Sequence, residues 1–523
     1  MNYFDLYDQA VQPGSARDQA QHEVVLNETA YSISAALATA LENLFGPQIN
    51  FSYLTMPLAF LAIYQIAPGR LEARGHQIQL KSFSSYKSLA AISPGDETHA
   101  LLVSLMESTE PEAMARDLLE DRDLAPSHHG SQTSSASTAQ AKTTKVGICF
   151  GVSFIERCRF QLRLPGKLSF VRGRGLPQAR MDGALRLELL NHAVSYFPLD
   201  RKLRSVVAYL VLTMPTFMLE GFGAHKAAAD KLASRLKALV IGTEFQRKPV
   251  VATLIAVMKT EDKPVIGIQH GGGYRQTDPN WWERAERYLC DSYRTWGYQF
   301  DAVEQPLSSI KLSRQSIKAK GGSKRKSYVG LELRILLAIP YISEELECSL
   351  YSPPYQLQVA AVESSLAILG PLLERDCKLT IRLHPKNKGA SFIEALSLGG
   401  HPNVQFSTGT RGSIAEDAAN YTALVFSSPQ ATGIAECLAS GSPFYVAASP
   451  EYFWIREEST DQYREMNRCG IWLTRFDEVE ELMHRGFSNM THRQQVFRHS
   501  FARSFACNGD NYFGDWTKML KNV

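Results

Sequence analysis

The chain has 523 residues, roughly three to four units of 150, enough to bury a core without disulfide staples. A hydrophobic share of 44% with 21% charged residues excludes a wholly disordered chain, a collagen and a coiled coil. A net charge of +3 is too small an excess to argue for a nucleic-acid partner.

The eight cysteines are scattered, with no C-x-x-C pair. That pattern disfavours a zinc ribbon and fits a reduced cytoplasmic setting. The start of the chain lacks the basic and apolar stretches of a secretory leader. Leu54 to Ala67 and Val206 to Leu219 are apolar but shorter than the span a bilayer requires, and the second contains Pro215. Both read as core helices.

In chain order, residues 1–125 are expected to be helical. Glu28 to Phe45 has apolar residues at helical spacing and stops at Gly46-Pro47. Pro111 to Leu119 is a second helix with proline at its first position. Residues 126–145 are Ser-rich and almost without apolar side chains, which predicts a flexible insertion. His128 and His129 within it read as solvated. Residues 146–310 form a first Rossmann-like lobe on the acceptor side. Val146 to Phe150, Leu236 to Thr243 and Lys263 to His270 are strand-like runs, and Leu185 to Leu190, Lys202 to Leu219 and Pro249 to Lys259 are helical. Residues 311–329 are a basic linker. Seven cations fall between Lys311 and Lys326, which suits a solvated linker or a footprint for an anionic lipid or polysaccharide. In residues 330–485 strands at 332–340, 377–385, 403–406, 423–429 and 443–448 alternate with helices at 355–375, 392–398, 413–420 and 431–439. This predicts a second, nucleotide-binding lobe. Residues 486–523 are a helical tail crossing back. The expected class is α/β with two Rossmann-like lobes.

Ligands of open parallel sheets bind beyond the carboxyl ends of the strands, and three polar constellations fall there. Gln269-His270-Gly271-Gly272-Gly273-Tyr274 delivers a histidine to three glycines, which admit a ligand or another backbone closely. Arg382 and His384 alternate with Leu383 and so share a strand face. Lys386 follows, and together they suit a phosphate. Ser427-Ser428-Pro429 leads through Thr432 and Gly433 into a helix carrying Glu436. That helix start is suited to an anion or a sugar hydroxyl. No Walker loop, G-x-G-x-x-G fingerprint or G-x-S-x-G elbow is present, which disfavours P-loop ATPases, dinucleotide oxidoreductases and α/β-hydrolases. The Asp-x-Asp at Asp121 and Asp123 sits in a charged segment poorly suited to a metal, and no metal requirement is expected.

With these residues in view, the chain resembles transferases of bacterial surface-carbohydrate gene clusters. The resemblance rests on His270-Gly-Gly-Gly-Tyr274, on Asp291 to Tyr298 and on Ser427 to Glu436. Arg382-Leu383-His384-Pro385 is similar to the HP motif of polysialyltransferases and Kdo transferases. It spans about residues 236–300 and 330–445, and implies a GT-B fold and a CMP-linked ulosonic donor, without a further cofactor. It implies that His384, Ser427 and Ser428 hold the CMP phosphate and that Glu436 lies near the ribose or base. His270 is a catalytic candidate, able to act as acid, base or hydrogen-bond donor near neutral pH, and with the glycines would line the sugar or acceptor. The acidic catalytic motif of those enzymes has no copy here. Glu244 is the nearest carboxylate by position and Asp262 the next. The implied partners are a nucleotide sugar and a glycan or lipid-linked glycan, with no nucleic acid; the expected setting is the cytoplasm, with a peripheral contact at the inner membrane left open. The alternatives are a glycosyl or polyol-phosphate transferase with a UDP- or CDP-linked donor, or a non-catalytic glycan-binding assembly protein on the same fold.

Overall fold

The structure is a computed structural model. It describes residues 16–47, 49–65, 101, 104–106, 108–120, 145–171, 176–177, 179–198, 200–278, 280–320, 333–339, 355–375, 377–384, 401–408, 414–417, 420–487, 489–507 and 509–523. The Ser-rich stretch at 126–144, the helix expected at 392–398 and most of the basic run after Lys320 lie outside them.

Fourteen strands are described. The first seven are β1 (Lys145–Cys149), β2 (Leu168–Phe170), β3 (Leu236–Ile241), β4 (Val265–Ile268), β5 (Thr277–Asp278), β6 (Ser292–Thr295) and β7 (Glu304–Pro306). The rest are β8 (Arg334–Ala338), β9 (Lys378–Leu383), β10 (Val404–Thr408), β11 (Ala423–Phe426), β12 (Tyr445–Ala447), β13 (Trp454–Ile455) and β14 (Trp472–Leu473). Two sheets have six strands each, in the orders β2-β1-β3-β4-β6-β7 and β10-β9-β8-β11-β12-β14, and β13 pairs with β5. The second order reads 3-2-1-4-5-6 in that sheet's own sequence of strands, the Rossmann arrangement. The α/β expectation of two Rossmann-like sheets therefore holds. The chain divides into two compact units. The first holds residues 1–268, 281–292 and 520–523, and the second 269–280 and 293–519.

In the first unit β1 pairs in parallel with β2 and β3, and β3 with β4. The order reverses at the β1–β3 boundary, because β2 lies on one side of β1 and β3 on the other. Burial of whole strands explains their composition: Ala238 to Ile241 and Val265 to Ile268 are buried on both faces. Helix Arg201–Thr213 is buried from Ser205 to Thr213, so this apolar run is core, and it stops ahead of Pro215. Arg186 lies wholly inside. It pairs with Glu220 at 2.7 Å and donates to the carbonyls of Val211, Leu212 and Met214, which satisfies the carbonyls freed at the helix end. Helix Ala16–Phe45 ends at Gly46, whose φ of 75° needs a glycine.

In the second unit β8 pairs in parallel with β9 and β11, β9 with β10, and β11 with β12. One face packs Ile335, Leu337, Ile381, Val425 and Tyr445 against Val362, Leu366 and Leu369. These last belong to helix Tyr355–Leu369, which gives way to a 3₁₀ turn at Gly370-Pro371, where the proline removes a helical donor. The order reverses at the β8–β11 boundary. No helix among the described residues is long and apolar enough to cross a membrane.

Candidate functional site

The first unit carries a cavity of about 160 Å³ at the carboxyl ends of β1 to β3. Ile148, Phe150, Gly151, Phe170 and Val171 form its apolar lining, and Arg157, Glu244 and Lys248 supply its charges. It sits at this sheet's reversal point, where such sheets bind ligands. Glu244 opens the 3₁₀ turn Glu244–Gln246 that follows β3. Burial pushes its carboxyl above the usual carboxylate range, and backbone N–H groups with Lys248 and Arg247 pull back less strongly. Cys149, beside it, is pushed up to about 12 by burial and by the Glu244 charge, so this thiol is inert. Arg157 is fixed by donating Nε–H to the Val152 carbonyl at 3.0 Å, and its guanidinium lies 5.6 Å from the centre of the Phe170 ring. Its helix, Phe154–Arg163, starts on a capping box: Ser153 Oγ accepts from the Glu156 N–H, and the Glu156 carboxylate accepts from the Ser153 N–H. Asp262 is exposed in the turn before β4, with φ 52°. It lies at the amino edge of the sheet, the opposite edge from Glu244.

In the second unit the segment 269–280 is stitched to the loop after β11. Buried Gln269 donates to the Gly271 carbonyl at 2.7 Å and accepts from the Trp296 N–H at 2.6 Å. The Gly272 N–H donates to Thr432 Oγ1 at 3.0 Å. A Cβ on Gly272 would stand 3.1 Å from Thr432 Cα and 3.2 Å from its nitrogen, and Gly273 has φ +83°. The group that a side chain at 272 would crowd is thus backbone, namely the first turn of helix Thr432–Ser440. Further along, Thr277 Oγ1 donates to the Gln430 side chain. Tyr463 donates to the Gln276 side chain at 2.7 Å, with the Pro429 carbonyl at 3.2 Å. Arg275, at φ 59°, pairs with Glu304, Asp301 and Glu458. That strain is held by three carboxylates.

His270 is exposed and joined to Tyr274 by a hydrogen bond of 2.6 Å at Nδ1. Buried Tyr274, stacked on Tyr293, fixes the ring. At the carboxyl edge of the second sheet, Arg382 faces Asp417 at 3.1 Å, and exposed His384 follows β9 beyond buried Leu383. Lys386 lies outside the described residues. Across β8 from these stand Ser427 and Ser428, 1% and 6% exposed. Ser427 Oγ is buried with no hydrogen-bond partner among the described residues. Gly433 packs on the sheet: a Cβ there would meet Phe426 Cε1 at 2.7 Å. Glu436 is 7% exposed. One of its oxygens pairs with Lys311 at 2.8 Å and the other accepts from the Ile414 N–H at 3.3 Å.

Of the residues singled out by sequence, the second unit thus joins the Gln269 to Tyr274 loop to Thr432 and aligns Arg382, His384, Ser427 and Ser428 along one sheet edge. Glu244 and Asp262 stay apart. Sequence reasoning missed Arg157, Phe170 and Lys248 at the cavity, Arg275, and Lys311 as the counter-ion of Glu436. The Ser153–Glu156 capping box was a readable sign of the helix that carries Arg157.

A family model described as LIC12162 family transferase matches residues 97–520. No curated protein matches the sequence. Among solved structures, UDP-GlcNAc 2-epimerase from Neisseria meningitidis bound to UDP-GlcNAc is similar at 12% identity and TM-score 0.36, covering 72% of this chain and 98% of that one. MurG from Acinetobacter baumannii is similar at 9% identity and TM-score 0.35, covering 72% and 90%. The S. aureus MnaA–UDP complex is similar at 11% identity and TM-score 0.36, covering 57% and 78%. Likenesses this distant say nothing of substrate.

Proposed function

Because the chain belongs to the LIC12162 family of transferases, we propose that it is a glycosyltransferase. It moves an acidic ulosonic sugar, Kdo or a nonulosonic acid such as pseudaminic or legionaminic acid, from a CMP-linked donor to a bacterial surface glycan. The observation that carries a nucleotide at the second sheet is Ser427. A hydroxyl buried at the reversal point of a Rossmann order, with no partner among the described residues, is a donor kept for a ligand. Burying it unpaired costs about 1–3 kcal/mol. Arg382 and His384 border the same edge and can neutralise the leaving phosphate. The first turn of the helix after Ser428 is already approached by Gly272. The phosphate therefore depends on the side chains more than on that turn's backbone. The CMP assignment rests on the Arg382-Leu383-His384 pattern. A UDP- or CDP-linked donor is the competing reading.

Glu244, in the cavity of the first unit, has the character of a general base. In such a transfer the acceptor hydroxyl attacks the anomeric carbon, the bond from that carbon to the phosphate oxygen breaks, and the hydroxyl proton passes to a general base. A carboxyl raised by burial holds a proton more readily than an ordinary one. His270, oriented by Tyr274, donates to the carboxylate of the transferred sugar.

Turnover of CMP-sugar in the presence of a glycan acceptor, read as CMP release, tests this. His384→Ala should sharply reduce turnover while the thermal midpoint holds. Unchanged turnover would remove His384 from the site. Glycan binding with no nucleotide binding at all would favour a non-catalytic assembly protein.

A further inference from the structure

Helix Phe154–Arg163 hides only one stripe. Glu156 and Phe160, with Leu164 just beyond the last turn, are buried, one turn apart from each other. The stripe formed by Phe154, Cys158 and Leu162, with Ile155 beside it, is exposed. Phe154 is 78% exposed, Ile155 63% and Leu162 82%. Eight large apolar side chains are exposed among the described residues, and three of them share this ten-residue helix, so this is a patch and not ordinary scatter.

Within this helix and the turn after it, the exposed charges have one sign. Arg159 and Arg163 are exposed along its border, and Lys167 is exposed in the turn that follows. The helix's single acid, Glu156, is turned inward at 2% exposure and spent on the cap. Protruding Phe, Ile and Leu bordered on the same helix by exposed arginines form the face of a helix that lies in a membrane interface, with its apolar side chains below the headgroups and its arginines among anionic ones. A protein partner would need to be both apolar and acidic to match it.

We propose that helix Phe154–Arg163 docks this protein, lying flat, on the surface of an anionic lipid bilayer. The proposal stands independently of the donor. The same helix carries Arg157 into the Glu244 cavity, so docking would bring that cavity beside the membrane surface, where a lipid-linked acceptor is held.

The test is co-sedimentation of the full chain with vesicles of phosphatidylcholine alone or mixed with phosphatidylglycerol, without any sugar donor. Binding should need the anionic lipid and weaken with salt. Phe154→Ser with Leu162→Ser should lower partitioning about tenfold, since two membrane-buried apolar side chains are lost. Arg159→Gln with Arg163→Gln should remove much of the salt-sensitive part. All four positions are exposed, so unchanged circular dichroism and thermal midpoints are expected. The proposal fails if the wild type ignores anionic vesicles or if the double variants bind them as well as the wild type. It also fails if the chain forms a dimer that Phe154→Ser dissolves, which would make a second copy the occupant.

Discussion

Glu244 and Glu436 are both carboxylates placed beyond parallel strands, yet their surroundings differ. Glu436 is locked, with one oxygen on Lys311 and the other on the Ile414 amide. Glu244 borders a cavity, and burial raises its carboxyl. A carboxylate with every oxygen engaged braces a helix. One raised by burial beside open space is equipped to take a proton. From sequence both were acidic residues near strand ends, and only the packing separates the fully engaged carboxylate from the one beside a cavity.

The largest effect should come from Glu244, the proposed base. Glu244→Gln is expected to lower kcat by about 10²–10³-fold with little change in donor KM, measured by initial rates of nucleotide release. Loss in KM alone would make Glu244 a binding group. The same variant sharpens the comparison by pH. The folded-state carboxyl lies above its unfolded value, so its contribution to stability is present at low pH and is lost as pH rises through the folded value. Denaturant midpoints of the wild type should therefore decline relative to Glu244→Gln across that rise.

Gly272→Ala comes next, with a loss of about 1–3 kcal/mol from forcing a methyl against the Thr432 backbone, read as a lower thermal midpoint. A tolerated alanine would mean that the loop yields and that the glycine serves a ligand. Ser427→Ala without ligand should raise stability slightly, by about 1 kcal/mol, because a buried unpaired hydroxyl is removed. A marked loss would show that the hydroxyl has a protein partner. The smallest effect is expected for Lys311→Ala. Lys311 is half exposed in its pair with Glu436, so less than about 1 kcal/mol should be lost.

The strands were legible because parallel strands buried on both faces read as apolar runs. Those at 236–241 and 423–426 begin at the residues where the apolar runs begin. The Gly370-Pro371 interruption was legible for a covalent reason, the missing proline donor. Helix Phe154–Arg163 escaped because its exposed Phe154, Ile155 and Leu162 blur the helical period that Phe160 alone would give. Lys311 escaped because it opens helix Ile310–Lys320, within a basic run whose composition suits a linker. The three glycines admitted either a ligand or a backbone, and no local pattern separates the two. That choice depends on Thr432, far away in the chain.

The proposed nucleotide site lies at the β8–β11 edge with Ser427. Its most direct test is thermal unfolding of the wild type and Ser427→Ala against CMP, CDP, UDP and GDP, with and without magnesium. Ligand at about 100 times its Kd stabilises the folded state by about 2.7 kcal/mol. A metal-independent rise with CMP is expected in the wild type and a reduced rise in Ser427→Ala. No shift with any nucleotide, or an equal shift in both proteins, would contradict it.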